Sequence, residues 1–329
     1  AQSDEGVEAD VREATGLEDV PMEIHKITRW SVDAVMASAF SSGRVFLAGD
    51  AAHRHPPTGG LGLTSAIHDV QNLTWKLASV LDGTASPDLL DTYEPERRSA
   101  DERNATRSLE NAANQFLIVA TAGVSPENSV EENHRNLERL WSGLPEDEEH
   151  RREVMKTIRA QSMEFSELNV EFGYEYESAA VVSNGSPAPE PVDEIRVYEP
   201  STRPGSPLPH AWLEDESSER RATKDLVTPG RFLLIAGEDG QQWCDAADRI
   251  REAGVPVDSV RVGHIDGDLF DPRSMWASRR GISRDGAILV RPDRFVAWRS
   301  LEGSANRLED LAGAFGQILG RPVLAKTEA

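Results

Sequence analysis

The stretch "GRVFLAGDAAHRHPPTGGLGLTSAIHDVQNLTWKL", Gly43 to Leu77, carries the reading of the whole chain. Its opening run "RVFLAGD" is short and continuously apolar, as expected of a strand covered on both faces. That places Asp50 at the carboxyl edge of a sheet, where ligands of open α/β sheets bind. Pro56-Pro57 fixes two φ angles and removes two N–H groups, which makes a stiff, apolar wall. Gly59, Gly60 and Gly62 allow backbone N–H groups to approach an electron-rich ligand closely. From Leu63 the period changes: Leu63, Ile67, Val70, Leu73, Leu77 and Leu81 recur at spacings of three and four, and Asp82-Gly83 supplies a stop. A helix of roughly 18 residues is expected there, with its positive N-terminus aimed at the glycine loop. The combination reads as a cradle for a flat, hydroxyl-bearing, partly anionic cofactor, with the Asp50 carboxylate accepting hydrogen bonds from polyol hydroxyls. Gly60-Leu61-Gly62 alone would be a ligand-free turn; the combination is far more specific.

Bulk properties narrow the class. A chain of 329 residues accommodates two domains with their own cores. Hydrophobic residues make up 38% and charged residues 28%, a soluble globular balance, and no run is long and apolar enough for a membrane helix. The opening "AQSDEGVEAD" has no signal-peptide pattern and no initiator methionine. The 57 acidic against 35 basic residues give a net charge of −22, which argues against nucleic acid and anionic membrane surfaces. A single cysteine, Cys244, leaves no internal disulfide, CxxC pair or cysteine-built zinc site, so a reducing cytoplasm is the expected location.

Along the chain, "GVEADVREATG" reads as a helix and "MEIHKITRW" as a strand. Ser86-Pro87-Asp88 caps another helix, interrupted at Pro95 and continuing to about Ala122. "SPENSVEENHRNLERLW" and "PEDEEHRREVMKTIRAQSMEF" are further polar helices. Seven prolines between Pro187 and Pro209 mark a boundary or a connector extended over a surface. Beyond them comes an α/β alternation. Strand "RFLLIAG" is followed by helix "QQWCDAADRIREAG", strand "VDSVRVG", a hairpin "GAILVRPDRFVAWRS" around Pro292-Asp293, and a closing helix "ANRLEDLAGAFGQILG".

The run "GRVFLAGDAAHRHPPTGGLGLTSAIHDVQNLTWKL", continued by "LLDTYEPERR", resembles the second FAD-binding motif of single-component flavoprotein aromatic hydroxylases, the phenol and chlorophenol 2-monooxygenases and their polyketide-tailoring relatives. The resemblance implies a cofactor, FAD, held by Gly49, Asp50, Pro56, Gly59, Gly60, Leu61, Gly62 and Leu63. Asp50 would take the ribityl or ribose hydroxyls. Pro56 would lie beside the isoalloxazine, and the Gly60–Leu63 N–H groups at its pyrimidine edge. Asp69, Asn72 and Trp75 would be structural support on the helix behind. Thr64 stands where the family pattern has Asn. The implied activity is hydroxylation of a phenolic substrate with NAD(P)H and O2 through a flavin C4a-hydroperoxide.

The implied fold class is α/β (α+β). Residues 1–185 would form the C-terminal part of a Rossmann-like FAD and substrate domain, with the motif at 43–77 and helices over 86–170. A connector at 186–210 and a thioredoxin-like domain at 211–329 would follow, the latter without CxxC and contributing to a homodimer. The GxGxxG unit that holds the ADP half of FAD in this family does not occur in the sequence. The expectation is therefore a C-terminal fragment, inactive by itself, whose missing N-terminal half is its partner and carries the catalytic acid or base. An anthracycline-type hydroxylase and a non-catalytic scaffold are the alternatives. His53 and His55 with Asp50 lack a third firm ligand, so no metal is expected. "HIDGDLFDPR" (264–273) lacks the twelve-position calcium pattern and reads as a solvated acidic loop.

Overall fold

The apolar run "FLLIAG" of the C-terminal third becomes a fully buried interior strand of the main sheet. A computed structural model of the protein describes residues 4–16, 20–28 and 31–324. Two compact units are present, residues 1–33 and 34–329.

In the first unit, α1 (Asp4–Thr15) is held by an i,i+4 pair, with Arg12 Nη2 2.8 Å from Glu8 Oε1. The expected strand "MEIHKITRW" is not formed over residues 22–28, which have no ladder partner among the described residues; Arg29 and Trp30 lie outside the described residues. Alternating apolar residues make a strand only where a second backbone takes up the N–H and C=O groups.

The second unit opens with two small antiparallel ladders. β1 (Val35–Met36) pairs with β4 (His53–Arg54), and β2 (Ser41–Ser42) with β3 (Val45–Phe46). Here the reading of "RVFLAGD" needs correction: only Val45–Phe46 is strand, it is antiparallel, and Val45 is 63% exposed. Asp50 sits in a 3-10 turn, Gly49–Ala51, and not at the end of a parallel strand. A short apolar run does not by itself distinguish a doubly covered strand from a hairpin arm.

α2 (Leu61–Leu81) and α3 (Tyr93–Thr121) pack on each other. Ser86 caps the 3-10 turn Pro87–Thr92, its hydroxyl accepting from the Asp88 N–H at 3.1 Å. Pro95 falls in the first turn of α3, where its missing N–H has no intrahelical partner to lose. Polar helices follow, α4 (Val130–Glu138), α5 (Glu148–Ala160) and α6 (Leu168–Phe172).

The C-terminal sheet has seven strands in the order β11-β10-β7-β8-β9-β5-β6. These are β5 (Trp212–Glu214), β6 (Arg220–Ala222), β7 (Phe232–Gly237), β8 (Val257–Gly263), β9 (Leu269–Phe270), β10 (Ala287–Val290) and β11 (Val296–Ser300). The parallel β7–β8 pair is bridged by α7 (Gln241–Glu252), and β10–β11 is the expected hairpin. The short strands β5, β6 and β9 carry no apolar alternation and were not foreseen. Phe232, Leu234 and Ala236 face a core shared with α7, α8 (Arg307–Ile318), Trp75 and Leu89, while Leu233 and Ile235 face a second core with Leu208, Leu213 and Trp276.

The end of the proline-rich stretch is not a surface connector. Thr202, Ser206 and Leu208 are buried, and Pro207 bridges Phe295. The acidic loop also departs from the solvated reading at one residue. Asp271 is 3% exposed and accepts from the Met275 and Ala277 N–H groups at 2.9 and 2.8 Å, organising the turn that follows.

Candidate functional site

α2 carries the predicted apolar periodicity but turns it outward. Leu63, Ile67 and Val70 are 75%, 55% and 52% exposed, while Ser65, Asp69, Asn72 and Lys76 are buried with Leu73 and Trp75. Burying a polar stripe is tolerable only if its charged groups are paired, because an unpaired buried charge costs several kcal/mol. α3 supplies the partners through Glu96, Arg97, Asp101 and Asn104, all buried.

Asp69 is the hub nearest the glycine loop. Its Oδ2 accepts the Gly49 N–H at 2.8 Å and lies 2.7 Å from His53 Nε2; its Oδ1 accepts from Arg97 Nε at 2.7 Å. Gly49 has φ +58°, and a Cβ there would meet the Ala66 Cβ at 3.0 Å, so only glycine lets the turn lie this close to α2. One carboxylate therefore pins both the start and the end of the turn that carries Asp50. Asp50 itself is exposed, and none of the described residues bonds its carboxylate.

Electrostatics follow the geometry. Burial alone would raise the Asp69 carboxyl, but the hydrogen bonds from His53 and Arg97 and the guanidinium charge hold it low. Asp101 is pushed up by burial and by the Asp69 charge. Burial alone would lower His53; its bond to Asp69 and the Asp101 charge outweigh that and raise it. His55 stacks on His53 at 4.8 Å, has both ring nitrogens buried without a hydrogen-bond partner, and is lowered to about 4 by burial and the His53 charge. The donor atoms of His53, Asp69 and Asp101 lie within 4.8 Å of one another, a spacing that a metal could use. Arg97 already delivers a positive charge there, with Nε 2.7 Å from Asp69 Oδ1 and Nη2 2.7 Å from Asp101 Oδ1, so both carboxylates are already paired with a guanidinium.

The loop beyond is braced by the far half of α3. Thr58 Oγ1 donates to the Ser108 carbonyl at 2.5 Å, and a Cβ at Gly59 (φ +84°) would meet Asn111 Nδ2 at 2.9 Å. Asn111 Nδ2 donates to Glu167 Oε1 at 2.8 Å, which Arg107 Nε also reaches at 2.9 Å. Pro56 is buried, as a rigid wall requires. Gly60, φ +68°, is the N-cap of α2 and offers no side chain, so the N–H groups of the first turn have no side-chain acceptor. The Leu61 side chain is buried and contributes only backbone to this face, Gly62 has open space where a Cβ would stand, and Leu63 projects outward.

The predicted residues thus fall on one loop-and-helix corner. It joins an uncapped helix N-terminus, bare glycine backbone and a carboxylate that no described residue bonds, a set of N–H donors and one acceptor that fits the flavin and polyol parts of FAD. Arg97, Asp101, Asn111 and Glu167 were missed. One trace of the network was readable beforehand: Ser65, Asp69, Asn72 and Lys76 recur at spacings of four, three and four within an otherwise apolar helix.

Residues 1–108 match a family model described as FAD binding domain, and residues 201–322 match one described as aromatic-ring hydroxylase, C-terminal. The chain is 37% identical to a 2,4-dichlorophenol 6-monooxygenase from Cupriavidus pinatubonensis, covering 94% of this chain and 52% of that protein. It is also 37% identical to a tetracenomycin A2 monooxygenase-dioxygenase from Streptomyces glaucescens, covering 94% of this chain and 48% of that one. Among solved structures, the flavin-dependent monooxygenase PieE in complex with FAD and substrate superposes with a TM-score of 0.86 at 36% identity, over 98% of this chain and 55% of PieE. The chain spans about half the length of the curated relatives it matches. On the motif, the mixed α/β fold and these matches together, the chain is of the FAD-dependent aromatic hydroxylase type.

Proposed function

We propose that this chain supplies the isoalloxazine- and ribityl-facing part of the FAD site in a monooxygenase that hydroxylates a phenolic ring with NAD(P)H and O2. The observation that carries the reading is Asp50: an exposed carboxylate that no described residue bonds, on a turn that is itself fixed at both ends to a fully buried base. Rigid support under a free acceptor is what a binding residue needs and what a solvated surface acid lacks. FAD, when bound, relays electrons from NAD(P)H to O2 and so activates one oxygen atom for transfer to the ring.

The chain's own residues do the rest. Asp50 accepts hydroxyls of the ribityl or ribose chain. The N–H groups of residues 61–63 and the α2 dipole favour negative charge at the pyrimidine edge, while the Pro56 wall keeps water from that face. His55 stays neutral at physiological pH and adds no competing positive charge. The ADP half of the cofactor site and the residues that deprotonate the phenol belong to polypeptide outside this chain. In this reading the division is 1–185, a proline-rich segment at 186–210 whose end packs into the C-terminal core, and 211–329.

The substrate is a simple phenol or a polycyclic polyketide; the 37% identity to the dichlorophenol enzyme and to the tetracenomycin enzyme supports both alike. The test is Asp50→Ala in the full-length flavoprotein. Loss of hydrogen bonds to a charged acceptor, about 1.5–3 kcal/mol, should raise the FAD Kd roughly 10- to 100-fold. The thermal midpoint of the FAD-free protein should not move, because no described residue bonds the Asp50 carboxylate. An unchanged Kd refutes the assignment. Product analysis with chlorophenol against an anthracyclinone separates the two substrate classes.

A further inference from the structure

A second buried polar cluster lies farther along α2, and it reaches across the fold to the C-terminal hairpin. Glu96, on α3, is fully buried and accepts five hydrogen bonds. Its Oε1 takes Arg291 Nη1 and Ser178 Oγ, both at 2.6 Å. Its Oε2 takes Asn72 Nδ2 and Lys76 Nζ at 2.7 Å and Arg291 Nη2 at 2.8 Å. Asp293, in the turn between β10 and β11, binds Arg291 and also accepts from Trp75 Nε1 at 3.1 Å and Asn72 Nδ2 at 3.3 Å. Its carbonyl takes Gln71 Nε2 at 3.4 Å. The Arg291 guanidinium stacks over Trp75 and Tyr176, each at 5.2 Å, and Trp75 meets Phe232 of β7 edge-on at 5.6 Å.

Two acids face two bases here, and none of the four is more than 3% exposed. A buried set of this kind adds little net stability over apolar side chains of the same volume, so its consequence is geometric specificity. Every α2 group involved, Gln71 to Lys76, belongs to a short segment beginning about 15 Å along the axis from the helix start at Leu61. A helix is stiff over that length. Whatever fixes the rotation and axial position of this segment also fixes where the N–H groups of residues 61–63 point.

We propose that Arg291 and Asp293 are positioning residues for the flavin cradle: the C-terminal hairpin clamps α2 and thereby sets the aim of its N-terminus at the cofactor. This rests on the FAD reading above. It gives the C-terminal sheet a part in cofactor geometry although its seven strands contribute no residue to the proposed FAD contacts.

The test uses the full-length flavoprotein and two variants. Asp293→Asn keeps the volume and most of the network. Glu96→Gln with Arg291→Met removes one buried charge of each sign, leaving Lys76 and Asp293 balanced. In both, the FAD Kd should rise at least tenfold and the visible circular dichroism of the bound flavin should change. A role confined to holding the fold would lower the melting temperature and leave both readouts alone. Wild-type Kd and dichroism in Asp293→Asn overturn the proposal, whatever the double variant does. A wild-type protein that binds no FAD would refute the cofactor reading instead, so the two failures are distinguishable.

Discussion

Replacing Asp69 by Asn is the perturbation that most directly probes the base of the cradle. The amide keeps one acceptor oxygen but must serve three donors, Gly49 N–H, His53 Nε2 and Arg97 Nε, now held at 2.7–2.8 Å by a carboxylate. Its NH2 also has to face Arg97, a donor, or His53, whose Nε2 must give up its proton to accept. Breaking a buried ion pair from one side costs about 3–5 kcal/mol. Part of that returns, because Asp101 is freed from the Asp69 charge and ionises against Arg97. Taking the return as one charged hydrogen bond, about 1.5 kcal/mol, leaves a net loss of about 1.5–3.5 kcal/mol. For a unit of this size that lowers the melting temperature by roughly 3–14 °C.

Binding should respond as well, since the turn bearing Asp50 loses its tether; a roughly tenfold weaker FAD Kd corresponds to about 1.4 kcal/mol. The assay pairs calorimetry of the apoprotein with flavin-fluorescence titration, and runs Asp101→Asn alongside. Asp101 makes no bond to the turn's backbone, so its variant should disturb FAD less. A midpoint within about 2 °C of wild type with unchanged Kd would refute the argument. A larger FAD effect from Asp101→Asn would show that the tether runs through the other carboxylate.

Three further outcomes are expected. Gly62→Ala meets no neighbour within 4 Å and lies in a helix, so it should stabilise the apoprotein by about 0.5–1 kcal/mol while raising the FAD Kd at least tenfold; improved stability with unchanged binding would remove Gly62 from the site. His55 has a folded pKa near 4, below its unfolded value of 6.5. The unfolded chain therefore binds the extra proton first, and stability is lost as pH falls from 6.5 to 4. His55→Phe should flatten that slope by about 2 kcal/mol over the window, after allowance for partial exposure, as read by urea titrations at each pH. Cys244 is buried, and burial pushes its thiol up to about 11, so at pH 8 the native protein should label with a thiol reagent at least a hundredfold more slowly than the unfolded chain. Rapid native labelling would mean that α7 opens.

Local elements were legible because their signals are local. The α1 and α2 helices, the Ser86 cap, the β7–α7–β8 unit and the β10–β11 hairpin each follow from periodicity, capping residues or turn residues within about twenty positions. The cofactor loop was legible for the same reason: Asp50, Pro56 and the glycines are neighbours in the chain. β5, β6 and β9 were not, since two- or three-residue strands exist only through the edges they pair with. "RVFLAGD" and "MEIHKITRW" went astray because an apolar run does not name its partner.

The sequence by itself determined the glycine loop, the helix behind it and the kind of ligand they suit, since these depend on backbone freedom, helix polarity and residues close in number. Only the tertiary structure decided which face of α2 is buried. The interior chose the polar stripe of Ser65, Asp69, Asn72 and Lys76 over Leu63, Ile67 and Val70 because α3 and the C-terminal hairpin bring a matching charge to each ionised group. Arg291 and Glu96 are 195 residues apart, and no pattern along the chain links them. Burying a charge is unfavourable until its partner arrives, so the identity of the buried face belongs to the assembled fold and not to the helix.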